Sequence, residues 1–282
     1  MTDSPNTPPP RHNRWLGDLR LALMLLTRLP MPAGDATAVP ADGGMARAAW
    51  IFPMVGLLVG LAGGGVFMLA GSLGLGLSSA ALLAMGTQIL LTGALHEDGL
   101  ADMADGFGGG HSRERKLDIM RDSRIGTYGV VALIIALALR FTALQDLASN
   151  LLSISDELED TAGQNSAIII ALVAAGALSR AAMAVVWYLL PPARTDGLAA
   201  GSGAVPFSAA VTAVLLAAAI AFVVLPGFAF IVACATVAVL TMAVALLAHW
   251  QIRGHTGDVL GATQQITEIG ALLAIGIATI AA

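Results

Sequence analysis

The chain has 282 residues, 57% of them hydrophobic and only 12% charged, with a mean hydropathy of +0.80 and a formal net charge of -5. A soluble domain carries roughly 25% charge, so the composition excludes an ordinary water-soluble fold and points to a polytopic, all-α membrane protein. The single cysteine, Cys234, lies in the apolar run FAFIVACATVAVL and excludes a disulfide framework.

Residues 1–18 are polar and proline-rich, with no charged segment leading into an apolar one, and read as a disordered leader to a single integral domain over 19–282. LRLALMLLTRLP, beginning at Leu19, is too short to span and carries Arg20 and Arg28 at its ends, so it predicts an interfacial or re-entrant helix. A bilayer takes about 20 apolar residues per crossing. Seven stretches of about that size follow, at about 48–70, 78–95, 126–148, 167–190, 207–225, 228–250 and 260–282. In the first of them Gly56, Gly60 and Gly64 recur every fourth residue, a pattern that admits a neighbouring helix backbone.

Seven spans place every lysine- and arginine-bearing loop on one side. Arg11, Arg14, Arg20, Arg28 and Arg47 precede the first span; Arg113, Arg115, Lys116, Arg121 and Arg124 follow the second; Arg194 follows the fourth and Arg253 the sixth. The opposite loops have none, and one of them, SISDELEDTAGQ, is acidic. The positive-inside rule then sets the N-terminus and the charged loop at 96–125 in the cytoplasm and the C-terminus outside.

That loop is the anomaly of the sequence. Of 33 Asp, Glu, Lys and Arg residues, 12 fall between Glu97 and Arg124, in LTGALHEDGLADMADGFGGGHSRERKLDIMRDSRIGTYG. On a helix turning about 100° per residue, Asp98, Asp102 and Asp105 lie within roughly 60° of one another. Such a stripe is self-repelling unless a cation joins it, and oxygen ligands suit Mg²⁺, which is commonly shared with substrate phosphates. Gly106, Gly109 and Gly110 would allow close approach of an anionic ligand, and the cations beyond them, Arg121 and Arg124 among them, would offset phosphate charge. Asp118 and Asp122 complete the segment. Together these residues point to diphosphate chemistry governed by positioning and electrostatics. A second group, RGHTGDVLGATQQITEIG, puts Asp258 at the cytoplasmic mouth of the last span, with Gln264, Gln265 and Glu268 within it. Intramembrane polar residues face a bundle interior or a wet cavity, so Asp258 is expected to share the site. Arg180 is the intramembrane cation best placed to serve it, Arg140 could equally serve it or pair structurally with a carboxylate, and His96 and His255 flank it.

LHEDGLADMADGFGGG followed by RERKLDIMRDSRIGTYG closely resembles the signature of the cobalamin synthase (adenosylcobinamide-GDP ribazoletransferase) family. LTRLPMP, RAAWIFPMVGLLVG, SRAAM, LLPPARTDGLA and GHTGDVLGATQQITE extend the resemblance over nearly the whole chain. It implies an inner-membrane, Mg²⁺-dependent transferase that joins adenosylcobinamide-GDP to α-ribazole, or its 5'-phosphate, and releases GMP. Asp98, Asp102 and Asp105 would hold the metal, Asp122 or Asp258 would complete its shell or take the proton, and Arg121, Arg124 and Arg180 would meet the substrate. The expected partners are these two substrates and the bilayer, with no nucleic acid; a homo-oligomer is compatible with the sequence. Asp102-x2-Asp105-Gly106 and Asp118-x3-Asp122 also resemble, as a mechanistic analogy, the paired motif of CDP-alcohol phosphotransferases, without its arginine and with a shorter gap. The competing readings are a membrane prenyltransferase and an ion-coupled transporter, the latter requiring a site near the bilayer midplane.

Overall fold

A computed structural model describes residues 14–31, 44–154, 161–194 and 202–280. The first 13 residues of the expected leader and residues 155–160 of the acidic loop lie outside the described residues. Helix α1 (Arg14–Leu26) carries most of the short stretch expected from Leu19, but it begins inside the expected leader: residues 14–18 are helical and Asp18 is buried. It is tied to the first span through Asp18, which accepts from Trp50 Nε1 at 3.0 Å and pairs with Arg47 at 3.5 Å. The short α2 (Gly44–Arg47) and a 3₁₀ turn lead into α3 (Phe52–Ser72), with Pro53 in its first turn, where a missing N–H costs nothing.

The remaining helices are α4 (Leu77–Thr92), α5 (Leu95–Gly109), α6 (Arg113–Ile119), α7 (Thr127–Ile154), α8 (Thr161–Leu189), α9 (Phe207–Val224), α10 (Gly227–Ile252) and α11 (Gly257–Ile280). No strand occurs among the described residues. Among the described residues six helical stretches are long and apolar enough to cross a membrane, and α4 with α5 makes a seventh candidate bent by 85°. The chain is thus a polytopic helical membrane bundle. The second predicted span is its irregular member: α4 stops at Thr92, and both Gly93 (φ 65) and Ala94 (φ 57) take left-handed backbone before α5 starts.

Helix α8 is the buried axis of the bundle, and α3 lies directly against it. A Cβ on Gly56 would meet the Gly176 carbonyl oxygen at 2.0 Å, one on Gly60 the Leu172 oxygen at 2.5 Å, and one on Gly64 the Ile169 side chain at 2.7 Å. The four-residue glycine period therefore marks the α3–α8 seam. Helices α7, α9 and α10 turn Ile134, Leu215, Val223, Ile231 and Val239 outward, the lipid-facing apolar surface of a membrane bundle. Exposed Tyr128, Tyr188 and Trp250 ring one end of it, at the start of α7 and the ends of α8 and α10. Aromatic side chains of this kind gather at the headgroup level.

Candidate active site

Helix α5 is held by contacts on both its sides. Near its start Glu97 meets Arg140, well inside α7, at 3.5 Å; near its end Asp105 meets the first turn of α7. The two contacts occur in opposite order along the helices, so α5 runs back along α7 towards the end that bears the charged loops. On the other side Gly99 lies against α11: a Cβ there would be 2.9 Å from the Asp258 carbonyl oxygen and 3.2 Å from the Gly261 Cα. Gly99, one residue after Asp98, thus lets the stripe approach the start of the last span. Asp102 lies within electrostatic reach of Asp98, Asp105, Asp258 and Arg194, so the two sequence groups do converge.

Asp105 has a structural partner. Its two oxygens accept from Gly126 N at 2.6 Å and Gly129 N at 2.8 Å, the unpaired donors at the start of α7. Cβ atoms at Gly126 and Gly129 would fall 2.5 and 2.4 Å from its oxygens, so the glycines of GTYG are a cradle for this carboxylate. Gly106 and Gly110 face α6, where Cβ atoms would strike Met120 at 2.4 Å and Lys116 at 2.5 Å; Gly109 is more open. The close approach these glycines permit in this structure is helix to helix.

A cavity of about 300 Å³ opens between α5, the α8 end and the start of α11. Asp98, Arg194, Asp258, His96 and His255 supply its polar part, and Leu25, Leu26, Phe52, Leu95, Met183, Trp187 and Leu260 its apolar part. Asp98 is exposed and Asp258 half-buried. Asp258 Oδ2 accepts from Arg194 at 3.1 Å and from Thr256 Oγ1 at 3.1 Å. Thr256 in turn caps α11 by accepting from Val259 N at 3.3 Å. Burial pushes the His255 imidazole down to about 4, and its Nδ1 has no hydrogen-bond partner. His96, on α5, is also buried, with an unpartnered Nε2.

The cavity's loops are bolted together. Pro192 and His255 form a short parallel bridge, with Ala193 N on the His255 oxygen and His255 N on the Pro191 oxygen, both at 2.8 Å. Arg113 spans the same two loops, donating to the Ile252 oxygen at 2.8 Å and the Ala193 oxygen at 2.5 Å, and Lys116 bonds Gln251. Arg113, Arg194, Thr256 and Trp187 were not singled out as site residues. Helix α6 is absent from the sequence reading; the local signal for it is Ser112, whose hydroxyl accepts from Arg115 N at 3.2 Å.

Other expected site residues lie elsewhere. Asp122 and Arg124 pair with each other on the surface, at 2.6 Å, and the hydrogen bonds from Arg124 bring the Asp122 carboxyl down to about 2. Arg121 is exposed on the same segment. Arg180 does not line the cavity; it is 2% exposed and bonds Glu268 Oε2 at 2.5 Å. Glu268 Oε1 accepts from Arg140 at 2.5 Å, and Arg140 also bonds Gln88 at 2.8 Å. This buried network joins α4, α5, α7, α8 and α11 beneath the site.

No group of three His, Cys, Asp or Glu side chains is gathered closely enough to cage a metal by itself among the described residues. Mg²⁺ does not require one: it is ordinarily held by one or two carboxylates, waters and substrate phosphates. Asp98 and Asp102, facing Asp258, are oxygen donors that fit this pattern.

A membrane bundle that gathers carboxylates, an arginine and buried imidazoles around a nucleoside-sized cavity at one end has the form of a membrane-embedded enzyme. The chain belongs to the family described as cobalamin-5-phosphate synthase, whose profile matches residues 18–276. It is 44% identical over 263 residues to an adenosylcobinamide-GDP ribazoletransferase of Mesorhizobium japonicum, covering 93% of this chain and 94% of that one. To the protein of the same name from Bradyrhizobium diazoefficiens it is 46% identical over 259 residues, covering 92% of each. No solved structure matches it.

Proposed function

We propose that the protein is an adenosylcobinamide-GDP ribazoletransferase, joining adenosylcobinamide-GDP to α-ribazole or its 5'-phosphate and releasing GMP. The product is adenosylcobalamin or its 5'-phosphate. Membership of the family carries this reading, and the meeting of Asp98 and Asp258 at one cavity, with Asp102 within electrostatic reach of both, supports it. A ribose hydroxyl of the acceptor attacks the cobinamide-side phosphorus of the diphosphate. One P–O bond forms, the P–O bond to GMP breaks, and GMP departs as the anion.

Asp98 and Asp102 are the carboxylates that would hold Mg²⁺. When bound, the ion supplies charge neutralisation on the diphosphate. Asp258 accepts the hydroxyl proton. Its place on the cavity supports it over Asp122, which lies outside the cavity and is held ionised by Arg124. Arg194 offsets phosphate charge from the same wall, and Asp105 acts indirectly, by fixing α5 on the first turn of α7. Arg121 and Arg124, exposed on the segment between α6 and α7, would draw in the anionic donor by long-range attraction. The cationic loop segments share the cavity's end of the bundle, which supports a site open to the cytoplasm in an inner membrane.

The test is purified protein in liposomes with adenosylcobinamide-GDP and α-ribazole, with and without Mg²⁺. The expected result is Mg²⁺-dependent GMP release matched by a cobalamin product. Absence of product from a folded, metal-supplied sample would overturn the reading.

A further inference from the structure

We propose that Glu97 is a positioning residue for the carboxylates of the site: tied to Arg140 and Gln265, it fixes α5 against α11 and so sets the separation of Asp98 from Asp258 across the cavity. The inference rests on the proposed metal-assisted transferase reading and adds to it the group that holds the donor set in place.

The need for such a group comes from α5 itself. It carries Asp98 and Asp102, yet the left-handed pair Gly93 and Ala94 and the 85° bend detach it from α4. Four of its 15 residues are glycine, the weakest helix formers after proline. A helix this short does not hold itself in place, so lateral ties decide where its carboxylates stand. One tie is Asp105, near the far end, on the first turn of α7. Glu97 supplies the other, one residue before Asp98. Asp98 lines the cavity, whereas Glu97 is turned into the bundle.

Glu97 Oε1 accepts from Gln265 Nε2 at 3.0 Å and pairs with Arg140 Nη1 at 3.5 Å. The other terminal nitrogen of Arg140, Nη2, donates to Glu268 Oε1 at 2.5 Å. Gln265 and Glu268 both belong to α11, so one amide and one guanidinium join the helices that carry Asp98 and Asp258. Nearer the cavity the same two helices meet through glycine: a Cβ on Gly261 would lie 3.3 Å from the Cα atoms of Gly99 and His96. Gly99 stands beside Asp258 and Gly261, and Glu97 beside Gln265, so the helices run antiparallel and the Glu97 tie lies about one turn deeper than the cavity.

A contact of glycine on glycine has no side chains to interdigitate and leaves the helices free to slide. The tie beneath it removes that freedom. Burying an ion pair is a poor source of stability, because desolvation offsets most of the attraction; what it adds over an apolar contact is a fixed direction for each group. Metal ligands must be held to within about 0.5 Å, so a slide of α5 is felt first at the carboxylates.

The experiment measures metal binding and turnover on the full chain in nanodiscs. Glu97→Gln keeps an acceptor for Gln265 and removes the charge that Arg140 follows. Groups that orient metal ligands typically contribute ten- to a hundredfold in affinity or activity. The variant should bind Mn²⁺ alone roughly tenfold more weakly, read from the free-ion paramagnetic resonance signal, and need roughly tenfold more Mg²⁺ for half-maximal GMP release. Gln88→Leu is the control, because Gln88 accepts from the same guanidinium at 2.8 Å but lies on α4. It should lower the melting temperature while both metal midpoints stay within about twofold of the wild type. Gln265→Leu removes no charge and covers a failure of Glu97→Gln to fold; it should move both midpoints in the same direction. Midpoints unchanged in Glu97→Gln, or moved equally by Gln88→Leu, would overturn the assignment. If the wild type binds Mn²⁺ but releases no GMP, the transferase reading fails and the Mn²⁺ series still decides the role of Glu97. Absence of both in the wild type removes the metal site and overturns the assignment with it.

Discussion

Replacing Glu268 by Gln removes the one charge that joins two arginines inside the bundle. Glu268 receives Arg140 and Arg180, each at 2.5 Å, and is itself 1% exposed. Two unit charges about 4 Å apart attract by roughly 4 kcal/mol at an effective dielectric near 20, so the two pairs represent roughly 8 kcal/mol gross. Gln still accepts at its carbonyl oxygen, and Arg140 retains Glu97 at 3.5 Å. Arg180 forms no other ion pair among the described residues, which leaves a buried cation uncompensated. The expected net cost is about 3–5 kcal/mol, or a fall in melting temperature of roughly 10 °C for a chain of this size, read by thermal unfolding in mild detergent. Adding Arg180→Met to Glu268→Gln removes the orphaned charge, so the double variant should lose roughly 2 kcal/mol less than the two single changes together. Melting of Glu268→Gln within about 2 °C of the wild type would refute the claim that this network holds the helices together.

Asp105→Asn should both slow turnover and cost about 1–2 kcal/mol of stability, since an amide cannot accept from both Gly126 and Gly129; a melt shows whether Asp102→Asn, which breaks no hydrogen bond of this kind, is spared. Gly99→Ala inserts a methyl against the Asp258 backbone and should reduce turnover at least as much as stability, checked by comparing kcat with melting temperature. His255 is neutral when folded down to about pH 4 but titrates near 6.5 when unfolded. The unfolded chain therefore binds more protons between these values, and stability should fall as pH drops from 6.5 to 4, by roughly 3 kcal/mol in all. His255→Gln should flatten that part of the pH–melting curve. Arg113→Ala frees the loops carrying Arg194 and His255 and should raise KM for the substrates, with Arg113→Lys restoring little because one ammonium cannot reproduce the fork.

The spans were legible because a bilayer imposes long apolar runs, and the Gly56–Gly60–Gly64 period already named the face that α3 gives to α8. The helical register of Asp98 and Asp102 was also readable from spacing. The break after Thr92 was not, because apolarity continues through Leu90 and Leu91 and the second left-handed residue is Ala94, a type that rarely takes that backbone. Arg180 looked like a substrate ligand because its partner lies 88 residues away, beyond any local pattern. Asp105 looked like a metal ligand for the same reason: its partners are two backbone N–H groups on another helix, and the signal that betrays them is the Gly126–Gly129 spacing. Arg194 reads in the sequence only as a topology marker, since nothing local couples it to Asp258, 64 residues on.

The proposed transfer takes place at the cavity where Asp98 and Asp258 meet. The most direct measurement is turnover of Asp98→Asn and Asp258→Asn in liposomes, each with its melting temperature. Both variants should melt within a few degrees of the wild type and release GMP at least about a hundredfold more slowly. Near-normal turnover in either variant at saturating Mg²⁺ would contradict this placement.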